Sequence, residues 1–208
     1  TGALTGDYHV QKRLLHKAGA VLTETFNQFN AVLKWMAAYP DMRTLGKLAI
    51  VTNAGYETVG GVDTLGDFDA ERLFALTDSD CLALDEVLAR HDMQGLVASA
   101  NPLDLTPMAN EGIYLDCVET MIDFGADSVL LGLVPLSEQL HTDEIAQAEA
   151  FAARLKSLVE AKGCFVGIVI DAGVPYQQYK AVFERRGFPV FDGMDMGILG
   201  FNVLKNSR

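Results

Sequence analysis

The residues best placed for chemistry are Asn53, Ala54, Gly55, Tyr56, Glu57 and Thr58. They follow a nearly continuous apolar run, KLAIVTN (47–53), and lead into a segment of helical character. Small residues let a backbone come close to a ligand. The free N–H groups of a starting helix favour an anion by about 0.3–1 kcal/mol. Glu57 suits the helix dipole but competes with a bound phosphate. The stretch lacks G-x-G-x-x-G and Walker A patterns. The residues alone therefore allow two readings: an anion-binding loop, or a strand–helix turn in which Glu57 satisfies the helix end.

Three further loops carry polar residues. ASANPLDLTPMA (98–109) places Asn101, Asp104 and Thr106 in a bend stiffened by two prolines. It either lines a site or lets Asp104 and Thr106 bond to backbone and cap a helix over 109–124. VPLSEQLHTDE (134–144) holds Ser137, Glu138 and His141 without a fixed mutual geometry, and His141 reads as a solvent-exposed loop residue. In DAGVPYQQY (171–179), Asp171 ends a strand and Gly173 makes a turn. His9, His16 and His91 fall on or beside polar helix faces. No histidine pair has metal-ligand spacing, and no G-x-S-x-G nucleophile elbow occurs. No metal site is expected.

These loops need a scaffold. Residues 7–18 and 23–38 read as helices, the second capped by Thr23 or Thr25, with Phe26, Phe29, Leu33 and Met36 along one face. Buried strands are expected at 47–53, 72–76, 95–99, 127–134, 164–171 and 188–191. Helices are expected near 57–67, 78–90, 109–124, 143–162, 175–186 and 193–204. The helix at 143–162 has Thr142 as its cap, Asp143 and Glu144 in its first turn, and Gly163 at its end. Alternating strand and helix predict an α/β, flavodoxin-like, doubly wound parallel sheet in three layers, preceded by two helices. The boundary falls in 40–46. It leaves a loop and helical segment at 1–44 and a flavodoxin-like domain at 45–208.

Composition narrows the function classes. The 208 residues carry a net charge of −12, and half are hydrophobic. An acidic surface repels phosphate backbones and anionic bilayers, so neither nucleic acid nor membrane is an expected partner. No apolar run approaches the roughly 20 residues that span a bilayer. Cys81, Cys117 and Cys164 form no C-x-x-C motif, and Cys117 and Cys164 lie in core-like segments. Scattered, unpaired cysteines point to a reducing cytoplasm. The chain begins at Thr1 and is expected to be processed or cut from something longer.

Three motifs, in order and spacing, resemble the nucleoside-diphosphate-forming acyl-CoA synthetases. This family includes the ADP-forming acetyl-CoA synthetases and is related to succinyl-CoA synthetase. TGALTGD (1–7) is similar to the tail of the family's S-H-T-G-A-L-A-G-D loop. LAIVTNAG (48–55) resembles its L-A-I-V-T-N-A-G-G-P-G, and NPLDLT (101–106) its N-P-V-D-L-T. GFPVFD (187–192) is similar to its late G-I-P-V-F strand, so the likeness covers nearly the whole chain.

The resemblance implies a second flavodoxin-like CoA-ligase domain whose helix N-terminus faces a phosphohistidine loop. The phosphorylated histidine would immediately precede Thr1, with Thr1 and Gly2 as its neighbours, so this chain holds no catalytic residue of its own. Asn53, Ala54 and Gly55 match the phosphate-facing loop, whereas Tyr56, Glu57 and Thr58 stand in place of G-P-G. Asn101, Asp104 and Thr106 shape the same strand-end surface. CoA, ATP/ADP and Mg would belong to the parent enzyme. The implied partners are CoA-binding and ATP-grasp domains of the same parent or of a partner subunit, and a homo-oligomer is possible. The isolated chain is expected to be inactive. The alternative is a non-catalytic regulatory or interaction module from a degenerate ligase body or an acetyltransferase fusion.

Overall fold

A computed structural model of the chain describes residues 7–40, 46–66, 73–135 and 137–206. Five short parallel strands lie at its centre: β1 (Leu48–Thr52), β2 (Leu103–Asp104), β3 (Ser128–Gly132), β4 (Phe165–Val169) and β5 (Val190–Phe191), in the order β2-β1-β3-β4-β5. That is the doubly wound, flavodoxin-like order expected from the alternating pattern. Every residue of β1 and β3 is buried, which explains their continuous apolar runs.

The two-residue period of a strand sends alternate side chains to opposite layers. Ala49, Val51, Val129 and Leu131 join one core with α4 (Asp78–Arg90), α5 (Glu111–Asp123), α6 (Ile145–Lys162) and α7 (Gln177–Arg185). Leu48, Ile50 and Leu130 face the other layer. There they meet α2 (Phe26–Ala38), α3 (Gly55–Gly66) and α8 (Met194–Asn206).

Helix α2 is tied closely to this second layer. Ala31, Val32 and Trp35 are its buried face, and the indole N–H of Trp35 donates to the Gly197 carbonyl of α8 at 3.1 Å. Gly167 and Gly200 leave the room that the Trp35 ring occupies, since a Cβ on either would stand 2.7–2.8 Å from it. The stripe expected on α2, Phe26, Phe29, Leu33 and Met36, forms its exposed outer face. Helix α1 (Tyr8–Lys17) is capped by Asp7 and buries none of its residues.

Several expected elements differ. Residues 73–76 do not form a strand of the sheet. Leu73 makes a single bridge to Leu48, and residue 72 lies outside the described residues. The run 95–99 has only an isolated Gln94–Val97 bridge, because Gly95 takes a positive φ of 78° and turns the chain. Its apolar residue Val97 is buried as loop packing rather than as a strand. Strand β2 is not among the expected strands: Leu103 and Asp104, within the loop 98–109, pair with Val51 and Thr52. Helix α6 starts at Ile145 with Glu144 as its N-cap, so Thr142 does not cap it and Asp143 and Glu144 precede its first turn. Gly163 ends it with φ 67°, as expected.

Candidate functional site

The chain leaves β1 toward β2 on one side and crosses back to β3 on the other. The carboxyl ends of β1 and β3 therefore flank the topological switch point, where open α/β sheets form a crevice. The loop 53–58 lies at this point, together with the residues that follow β2, β3 and β4.

Asn53 is buried and spans the switch point. Its amide nitrogen donates to the Val134 carbonyl at 3.1 Å, and its amide oxygen accepts from the Val134 N–H at 2.9 Å. This paired contact holds the ends of β1 and β3 together, and it engages the Asn53 side chain within the protein. Ala54 precedes α3, and its carbonyl accepts from the Glu57 N–H at 3.0 Å. Gly55 begins α3, and a Cβ there would come 3.1 Å from Asp104 Oδ2. Tyr56 is 56% exposed. The Thr58 hydroxyl turns back to the Gly55 carbonyl at 2.7 Å.

Glu57 is the unusual residue. Although it lies in the first turn of a helix, only 2% of it is exposed. Its carboxyl group lies in the crevice between β1 and β3, where Oε2 accepts from the Thr52 hydroxyl. Among the described residues Oε1 is buried without a hydrogen-bond partner. Gly132, the last residue of β3, makes the space, because any Cβ there would overlap Glu57 Oε2 and crowd Thr52. Burial pushes the Glu57 carboxyl up to about 7; the Thr52 hydrogen bond opposes this and the charge of Asp171 adds to it. Among the described residues Glu57 forms no ion pair. Burial with its proton retained is the low-energy answer to an unpaired carboxyl in an apolar setting.

The other anticipated residues divide between this crevice and the sheet edge. Asp104 Oδ2 stands beside Gly55, and its Oδ1 accepts from the Thr106 N–H at 2.9 Å. Thr106 takes a positive φ of 60°, and its hydroxyl accepts from Met108 N–H at 3.4 Å. Both are side-chain-to-backbone bonders, and Asn110 supplies the cap of α5. Asn101 lies along the edge of β1. It accepts from Ile50 N–H and donates to the carbonyls of Leu48 and Phe74, each at 2.9 Å. Its amide thus does the work of the missing neighbour strand. Thr1 and Gly2 lie outside the described residues.

In the loop after β3, His141 and Ser137 gain a fixed geometry from partners that the sequence reading did not pair with them. Glu111, in the first turn of α5, holds His141 through both the ring Nδ1, at 3.1 Å, and the backbone N–H, at 2.9 Å. His141 is thus a held, partly exposed residue and not a free loop side chain. The Ser137 hydroxyl donates to the Pro107 carbonyl, joining this loop to the one after β2. His91 pairs with Asp116 at 2.8 Å. Burial pushes the Cys117 thiol up to about 12 and the Cys164 thiol up to about 11, so neither offers a thiolate at neutral pH. Among the described residues no group of three or more His, Cys, Asp or Glu could hold a metal ion. None of the described helices is long and apolar enough to cross a membrane.

Fold and site together define a flavodoxin-like α/β module with a carboxylate buried at its switch point. No protein-family model matches the chain, and no curated protein does. Solved structures share its fold. A protein of Pyrococcus horikoshii OT3 designated PH0766 superposes with a TM-score of 0.77 at 17% identity, over 98% of this chain and 44% of its own. The dinucleotide forming acetyl-coenzyme A synthetase 1 of Ca. Korarchaeum cryptofilum, in its apo form, gives 0.76 at 13% identity, over 100% of this chain and 43% of its own. The same enzyme in complex with phosphate and ADP gives 0.75 at 14% identity, covering 99% and 42%. The chain thus spans less than half the length of the solved chains it matches.

Proposed function

We propose that this chain is the second flavodoxin-like CoA-ligase module of an ADP-forming acyl-CoA synthetase of the acetyl-CoA synthetase type. The observation that carries the reading is the fold shared, over the whole chain, with an acetyl-coenzyme A synthetase more than twice as long. The three ordered motifs support it independently, and two of them lie at the sheet's switch point and its edge.

In this reading the first turn of α3, residues Asn53 to Thr58, faces the phosphohistidine loop of the parent. The parent converts acid, CoA and ATP to acyl-CoA, ADP and phosphate. CoA, nucleotide and Mg are held by the CoA-binding and ATP-grasp parts, and the segment preceding α2 connects the module to them, α2 itself being packed into the module's second layer. The residues of this chain position the loop: N–H groups at the start of α3 hold the phosphoryl charge with little reorganisation. Asn53 fixes the start of α3 relative to β3, and Asp104 and Thr106 shape the neighbouring wall. No residue here forms or breaks a covalent bond, so the isolated chain is inactive.

The test is to incubate the full-length parent with γ-labelled ATP and assay acid-labile phosphohistidine and acyl-CoA. Both are expected from the parent and neither from residues 1–208 alone. Acyl-CoA production by the isolated chain overturns the reading. One observation favours a second reading, a non-catalytic regulatory or interaction module: Glu57, Asp104 and Asp171 all crowd the turn that would face a phosphate. A parent that binds partners but forms no phosphohistidine establishes that alternative.

A further inference from the structure

Resting on the reading of α3 as a phosphoryl-facing helix, we propose that its first turn binds a dianionic tetrahedral oxyanion only together with a proton on Glu57. The argument starts from an unsatisfied group. Glu57 is 2% exposed, its carboxyl lies in the switch-point crevice, and its Oε1 has no partner among the described residues. A buried carboxylate left in this state costs free energy that a proton removes.

Among the described residues, the surroundings supply no compensating cation. Thr52 of β1 gives one hydrogen bond. Gly132 of β3 presents only its Cα, and the Tyr114 hydroxyl of α5 is turned to the Gly132 carbonyl at 2.8 Å. Asp104 approaches from the end of β2, and Asp171, after β4, adds like charge. From α8, apolar Met194 and Ile198 meet the next turn of α3 at Gly61. Tyr56, on α3 itself, is neutral. Among the described residues, an anion docking on this turn therefore meets three acids, of which only Glu57 is sealed from solvent. Protonating Glu57 removes the one repulsion that water cannot screen. The helix N–H groups then face a net charge they can outweigh. The proton comes from solvent and returns to it when the anion leaves.

Sulfate is a suitable probe, since its charge stays constant across neutral pH while that of phosphate does not. Sulfate binding to the chain is followed through the amide resonances of residues 54–58. For a single linked proton near neutrality, affinity is expected to fall about tenfold from about pH 6 to about pH 8. Glu57→Gln is expected to bind sulfate with a flat profile. The histidines remain in that variant, so the difference between profiles isolates Glu57. The carboxyl resonance of Glu57 in the unmutated chain gives a second measurement that needs no variant: sulfate is expected to raise its titration midpoint. An equal fall in Glu57→Gln, a flat wild-type profile, an unmoved midpoint, or no sulfate binding at either pH each overturns the proposal. Phosphohistidine formation in the parent is judged separately, so loss of the proton coupling alone leaves the module's assignment standing.

Discussion

The burial of Glu57 predicts an unusual dependence of stability on pH. Its folded value lies at about 7 against an ordinary 4.5. Below the ordinary value the carboxyl is protonated both folded and unfolded, and its contribution is fully present. Between the two values the unfolded chain has released the proton and the folded chain has not. Stability then falls as pH rises, by about 1.36 kcal/mol per unit, and levels off above the folded value. Over a window of about 2.5 units this amounts to about 3 kcal/mol, a large part of the total for a domain of this size. The lowered carboxylates Glu24, Glu149 and Asp192 act in the opposite sense and at lower pH. They remain in Glu57→Gln, whose amide oxygen still accepts from Thr52. The assay is urea unfolding of both proteins at a series of pH values, with the single tryptophan, Trp35, as reporter. The difference curve is expected to move by about 3 kcal/mol in favour of Glu57→Gln between about pH 4.5 and about pH 7, then flatten. Parallel curves would refute the reasoning, because the carboxyl would then titrate alike in both states.

Three substitutions test the surrounding packing. Gly132→Ala places a methyl where Glu57 and Thr52 already sit, and urea unfolding should show a loss of about 1–3 kcal/mol with a disturbed Glu57 carboxyl resonance. Trp35→Ala empties the space between α2, Gly167 and Gly200. Unfolding followed by circular dichroism should show a loss of about 3–5 kcal/mol, and a negligible loss would mean that α2 is not part of the cooperative unit. Asn101→Ala leaves the Ile50 N–H and the Phe74 carbonyl without their partner, at about 1–3 kcal/mol. Hydrogen exchange should then rise at Ile50 ahead of the β3-facing side of β1.

What could be read from sequence followed the periodicities that burial imposes. Strands sealed on both faces read as unbroken apolar runs, and β1, β3 and β4 declared themselves that way. The run 95–99 has the same composition but includes Gly95, whose positive φ bends the chain, and composition does not record handedness. The edge strand β2 was hidden for the opposite reason. It is two residues long, and Asn101 supplies from a side chain the hydrogen bonds that further strand residues would have made. The candidate loop was legible as a place but not as chemistry. Its position after β1 follows from fold logic, and within it Asn53 and Glu57 reach across to the end of β3. Whether Glu57 faces solvent or the sheet depends on a residue 75 positions later: with any side chain at 132, the carboxyl has no room. A glycine closing an apolar strand, close beside a threonine that ends its neighbour, is the pair of signals that would have located it. That pairing also decides the physical character of the site. An exposed Glu57 would be a helix-end carboxylate, permanently charged and simply repulsive to phosphate. Buried over Gly132, it becomes a group whose charge depends on the proton, so the same residue can oppose an anion or admit one.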